Sequence, residues 1–265
     1  MSQGGIIGRP NVPTFGRASG LWRVGEVFNA RTTEAWPRDL EIGEPVFGGF
    51  FAGIIDTNQP NAILPEDQYQ TPLRYALIVS PRTLQANSIQ WSQFTRTSAE
   101  AQTRWNGLAA QEAILPNTVF SAFNYCNNLE FPDDGGSKWY LPALDELTEA
   151  YWNLKPTTQN NSTGTQAPGD FPNDAFERGE LFSSDPQRPP FTSDTPEQTD
   201  IADFQEGGDQ EFIQVVGGTS RVFWSASWNA SDRAWLVDFT NGNPLRSSQT
   251  NSRRVRPFRR VVLGS

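Results

Sequence analysis

The sequence predicts an α+β fold with mainly antiparallel strand pairing, and three observations carry that expectation. Apolar runs rich in β-branched and aromatic residues stand at both ends of the body, at 46–56, 74–80, 222–228, 234–239 and 255–262. Helical periodicity is confined to the middle, between 98 and 154. Asn241-Gly242 is turn chemistry placed directly after an alternating run, which suits a tight turn between strands.

Taken in order, residues 1–20 are rich in Gly, Pro and Asn and show neither period, so they read as an extended arm. Leu21, Trp22, Val24, Val27, Phe28 and Trp36 mark a short amphipathic helix that Pro37 stops. With so little core of its own, segment 1–37 is expected to dock on another surface. The body spans 42–263. Val46–Asp56 reads as a buried strand punctuated by glycines, and Arg74–Ser80 as a second strand. Residues 98–114 look helical, with Gly107 as a weak point, and 117–129 repeat the signal around Cys126. Pro142–Leu154 is the best helix, because Leu144, Leu147, Tyr151 and Leu154 form one apolar stripe. Val222–Trp228, Ala234–Phe239 and Val255–Val262 read as strands.

Charge is distributed unevenly. The chain carries 21 Lys+Arg against 30 Asp+Glu, a net of -9. Residues 156–221 account for all of that excess: twelve acids stand there with only Arg178, Arg188 and Arg221. This segment has seven prolines and no Trp or Tyr, so it reads as an irregular, loop-rich insertion. Its six Phe either anchor it to the body or belong to a solvated linker. At the other end, Arg246, Arg253, Arg254, Arg256, Arg259 and Arg260 crowd a stretch without acids. Interleaved with Val255, Phe258 and Val261, they suit a strand whose arginines pair with acids of this chain or a neighbour, more than a nucleic-acid site.

Composition excludes several chemistries. The chain has no His, so a His-based triad or imidazole metal ligand is ruled out. One Cys permits no internal disulfide, and no apolar run approaches the ~20 residues of a membrane span. Met1–Gly5 lacks the basic and apolar regions of a secretory signal. Asp145, Glu146 and Glu149 sit at the start of the best helix, where the positive end of the dipole favours acids. Adjacent helical positions diverge, so they read as a solvated first turn rather than an acid/base pair. Asp133-Asp134-Gly135-Gly136 reads as a turn before a Trp139 strand, and Cys126 as a buried, inert thiol. Trp139, Trp224 and Trp235 read as core. The stretch 227–253 has a contact-surface composition. Trp228, Asn229, Ser231, Arg233, Asn241, Asn243, Arg246, Gln249 and Asn251 are its candidate ligand-binding residues, against the alternative of a plain hydrophilic loop.

Several motifs fall in register. Lys138-Trp139-Tyr140-Leu141-Pro142-Ala143-Leu144-Asp145-Glu146-Leu147 resembles the W-R-L-P-T-x-x-E-L signature of the Lcl C-terminal domain family, the DUF1566 group. Gly48–Asp56, Ala122–Leu129 with Cys126, Phe223–Ser227, Ala234–Gly242 and Val255–Arg259 resemble other pieces of that family in the same order. The resemblance implies a C-type-lectin-like fold, in which two helices flank small antiparallel sheets, the terminal strands pair and long loops carry binding. It implies no catalytic activity and no cofactor. Ala143 departs from the family's hydroxyl N-cap, which costs about 1 kcal/mol unless another group replaces it. Gln59-Pro60-Asn61 and Trp228-Asn229-Ala230 lack the paired carboxylates a hard cation requires, so no metal is expected. Gly20–Pro37 resembles a short element of tailed-phage virion proteins. Together these imply a non-enzymatic virion protein of the tail or tail fibre, with segment 1–37 docking it to other virion proteins or sister subunits. The body would bind a host-surface glycan or protein, or make intersubunit contacts. A homotrimer or other homo-oligomer is expected. The alternatives are a capsid decoration protein on the same fold and a bacterial surface adhesin-like domain, for which no export route is visible.

Overall fold

A computed structural model describes residues 40–57, 74–95, 101, 103–131, 136–166, 176–181, 184–212, 221–230 and 232–263. The proposed docking residues Leu21, Trp22, Val24, Val27, Phe28 and Trp36 therefore lie outside the described residues, as do Ser231 and Asp133-Asp134-Gly135. The fold is α+β. Strands β1 (Pro45–Val46), β2 (Gly49–Asp56), β3 (Arg74–Val79) and β11 (Phe258–Val262) form a four-stranded antiparallel sheet in the order β1-β2-β3-β11. A five-stranded sheet has the order β4-β10-β7-β8-β9, built from Ala86–Gln90, Ser252–Val255, Val222–Ala230, Arg233–Asp238 and Asn243–Ser248 respectively. It is mixed, because β10 and β7 run parallel through Arg254 and Phe223. Strands β5 (Thr165–Gln166) and β6 (Phe176–Glu177) make a separate ribbon.

Helices α1 (Gly107–Ile114), α2 (Ser121–Asn127) and α3 (Leu144–Leu154) complete the set among the described residues. The five-stranded sheet is buried on both faces. Trp224 and Leu236 pack toward α1 and α2 with Trp91, Phe123 and Cys126. Phe223, Trp235 and Val237 face the opposite way, into a core with α3 and the Phe50, Tyr75, Leu77 and Val79 side of the four-stranded sheet. Strand alternation thus sends neighbouring tryptophans into two different cores. The third tryptophan of the motifs, Trp139, is also buried. Helix α3 lies between layers, and nine of its eleven residues are buried.

Several expectations need correction. The run 46–56 is not one strand: Phe47 (φ 47°) and Gly48 (φ 73°) turn the chain back between β1 and β2. Both central residues have positive φ, the geometry that matches strand twist in a two-residue hairpin. Among the described residues of 98–114, the α-helix begins at Gly107, where the Asn106 side chain accepts the Ala109 N–H and caps it. Gly107 is no weak point: a Cβ would collide with the Leu141 carbonyl. Trp139 lies in extended chain, with one bridge from Tyr140 to Phe258, and not in a strand. The opening and closing body strands share a sheet but do not pair, since β3 separates them.

The 156–221 insertion is no solvated linker. Phe191, Phe204 and Phe212 bury in the main core, and Phe212 stacks on Phe239 at 3.9 Å. Arg188 and Arg221 tie it to the body through Glu149 and to itself through Glu206 and Glu211. Of the terminal arginines, Arg256 departs from the reading of acid-paired strands. Arg256 bonds uncharged acceptors, with Arg256 Nε donating to the Ser80 carbonyl at 2.7 Å. Arg259 donates to the Ser137 and Phe47 carbonyls and lies against Trp139. Arg260 bonds Asn106 and sits 5.1 Å over the Tyr75 ring. Among the described residues, the partners shown for these three arginines are carbonyls, amides and aromatic faces.

Candidate functional site

The acids of α3 are not a solvated turn. Asp145, Glu146 and Glu149 are all buried, because layers pack on both sides of the helix. Glu146 Oε1 accepts the Tyr75 and Tyr140 hydroxyls at 2.8 and 2.9 Å. Its Oε2 accepts the backbone N–H of Gly107 at 3.2 Å and of Ala143 at 2.7 Å. The last bond supplies half of a capping box although Ala143 has no hydroxyl. Two further first-turn donors find tertiary acceptors: Leu144 N–H goes to Ser227 Oγ and Asp145 N–H to the Arg104 carbonyl. Asp145 also takes the Arg104 guanidinium at 2.9 Å. Glu149 receives Arg188 through two bonds of 3.0 and 2.8 Å, with Asn153 bridging both residues. Gly53, at φ 138°, lets β2 pass there, where a Cβ would meet Glu149. Burial raises the carboxyls of Glu146 and Glu149, against the lowering pull of these donors. Burial likewise pushes the Cys126 thiol well up, as an inert thiol requires.

The residues of 227–253 do not converge. Trp228, Asn229 and Gln249 are buried, at 9%, 1% and 0% exposure, so they are packing groups and not a displayed contact surface. Arg233 and Arg246 are exposed on β8 and β9, Arg246 standing over the Trp235 ring. Asn241 and Asn243 are half-buried at the β8–β9 turn, where Asn241 Oδ1 accepts the Asn243 N–H. Asn251 is exposed and donates to Ser247 Oγ. Among the described residues, these positions mark the β8–β9 hairpin and its edge.

An open hollow lies at the C-terminal end of α3. A cleft of about 630 Å³ is lined by Glu41, Ile42, Trp152, Asn153, residues 196–200 and Ile201. A second hollow of about 370 Å³ adjoins it through Glu197 and Gln198, and adds Lys155, residues 158–160, Ser193 and Asp194. The walls are well fixed. Trp152 Nε1 donates to the Gly179 carbonyl at 2.7 Å, and Lys155 Nζ to the Pro196 carbonyl at 3.0 Å. Asn161 donates to the Thr192 and Pro196 carbonyls and accepts the Tyr151 hydroxyl. Burial lowers the Lys155 ammonium, while Asp194 and Glu197 favour its charge. Glu41, Asp194, Glu197 and Asp200 stay exposed. Sequence reasoning missed these residues because the 193–201 rim lies in an aperiodic segment; the buried Phe anchors flanking it were the available signal.

Comparison with protein families, characterised proteins and solved structures gave no match. Among the described residues no cluster of three or more His, Cys, Asp or Glu side chains could hold a metal, and no helix is long and apolar enough to cross a membrane. The arrangement offers carboxylates, amides and an indole along an open, rigid-walled cleft. Such a set can hold a polyhydroxylated molecule through paired hydrogen bonds and apolar contact.

Proposed function

We propose that this chain is a non-enzymatic virion protein of a tailed phage, in the tail or tail fibre, whose lectin-like body binds a host-surface glycan through the cleft at the end of α3. The single observation behind the binding role is that cleft: exposed Glu41, Glu197 and Asp200 stand beside Trp152 and Gln198 on walls pinned to the core. The virion assignment rests on the motif resemblance at 138–147, 223–227 and 234–242 and on the docking segment 1–37. The buried acids of α3 all have donors, which leaves them poor candidates for acid–base catalysis. Attachment to sister subunits through segment 1–37 would make the particle-bound form a homo-oligomer.

Electron microscopy of purified particles labelled on this protein tests the location; label on the tail is expected, and label spread over the capsid would favour a decoration role. For binding, Glu197→Gln with Asp200→Asn should reduce adsorption of particles to host cells while leaving the melting temperature unchanged. Unchanged adsorption would refute the cleft as the attachment site.

A further inference from the structure

We propose that Arg254 is the receiving group of an oxyanion-binding site, one that takes a phosphate or a carboxylate group. It stands on β10 opposite Phe223 and is only 5% exposed. Its Nε has no hydrogen-bond partner among the described residues. Among the described residues, the one charged side chain shown acting on it is a cation. Arg221 is close enough to oppose its charge, and Arg82 opposes that of Arg256, two residues along the strand.

The carboxylates that touch this cluster are already taken. Arg221 Nη2 binds Glu206 at 2.7 Å and Glu211 at 2.9 Å. Asp238 Oδ1 accepts the backbone N–H groups of Arg221 and Thr240. Arg256 reaches only uncharged acceptors, at Ser80, Gln85, Gln210 and the Glu211 carbonyl, and lies over Phe212. Arg82 donates to the Gly208 carbonyl. Arg254 therefore has a buried, unpaired Nε and no ion-pair partner among the described residues, so an anion that reached its guanidinium would meet no competing carboxylate. A guanidinium presents parallel N–H donors that match two oxygens of a carboxylate or phosphate. The cluster borders solvent, since Glu206 on its rim is 59% exposed. Arg246, by contrast, sits exposed on an aromatic ring and needs no such complement.

The test is a thermal-stability titration of the full chain with inorganic phosphate, and separately with acetate, each against sodium chloride at matched ionic strength. An anion that binds only the folded state raises the melting temperature in proportion to log concentration once past its Kd. The expected result is a rise with phosphate or acetate beyond that of chloride, and the more effective of the two identifies the oxyanion. Arg254→Gln should weaken the apparent affinity at least tenfold, while Arg246→Gln leaves it unchanged. It should also melt no lower than the parent in anion-free buffer, because it removes an uncompensated charge. Identical curves in all three salts would overturn the proposal, and so would an equal rise in parent and Arg254→Gln. If Arg254→Gln melts much lower than the parent without anion, the counter-charge comes from the chain itself and the site is refused. Should that variant not fold, isothermal titration of the parent with phosphate and acetate decides alone, and absence of heat for both overturns the proposal.

Discussion

The two ends of α3 treat polar groups in opposite ways. At its N-terminal end every oxygen of Glu146 has a donor, and the first-turn N–H groups reach Ser227, Arg104 and Glu146 itself. At its C-terminal end Trp152, Asn153 and Lys155 face hollows whose carboxylates remain in water. A saturated polar network specifies and stiffens a core, whereas an unsaturated one on rigid walls has capacity left for a ligand. The same helix thus serves as scaffold at one end and as a cleft wall at the other.

The comparison breaks most severely at Glu146. Glu146→Ala leaves the Tyr140 hydroxyl and two backbone N–H groups without their acceptor in a fully buried site, while the Tyr75 hydroxyl keeps the Trp105 carbonyl at 2.7 Å. A loss of about 4 kcal/mol or more in chemical denaturation is expected. A loss under about 1 kcal/mol would show that the network is not what holds the helix start. Next comes Arg188→Ala, which strands the buried Glu149 carboxylate and unpins the insertion. It should cost about 3 kcal/mol. Trp228→Ala should cost a similar amount, about 3 kcal/mol, because the ring packs in the α1–α2 core and is no surface contact. Retained stability with lost adsorption would instead restore that residue to a contact role.

A smaller effect follows from protonation. Burial holds the Glu146 and Glu149 carboxyls above their ordinary 4.5. An acid whose folded pKa exceeds its unfolded value adds stability below the unfolded value, and that contribution is lost as pH rises through the folded one. These two groups therefore weaken the fold as pH climbs upward from about 4.5. Glu146→Gln should flatten that slope in melting temperature, and an unchanged slope would mean that Glu146 does not titrate in this way. The smallest stability effect belongs to the cleft. Glu197→Gln with Asp200→Asn should shift stability by less than about 0.5 kcal/mol, since both groups are exposed.

Much of the scaffold was legible in the sequence. The stripe Leu144, Leu147, Tyr151 and Leu154 located α3, and the alternating Ala234–Phe239 run located β8. What the pattern could not tell was how many sides of α3 would be covered. A 3.6-residue stripe predicts one buried face; packing between layers buried the acids on the other faces as well. The terminal arginines were similarly opaque, because carbonyls and aromatic rings brought in from distant segments leave no local trace. The burial of Trp228, Asn229 and Gln249 was hidden in the sequence for a related reason. The polar composition of 227–253 looked like loop, yet β9 pairs with β8 and β10 with β7 and β4, and Asn229 on β7 and Gln249 just after β9 end up buried. The cleft needed the return of residues 193–201 onto α3, a long-range contact made through Phe191 and Lys155.

Hydrogen–deuterium exchange of the full chain, with and without surface polysaccharide extracted from the host, tests the binding assignment most directly. Slowed exchange is predicted at 41–42, 152–160 and 193–201, with no change along 227–253. Protection of the β7–β10 hairpins while the cleft exchanges as before would contradict it.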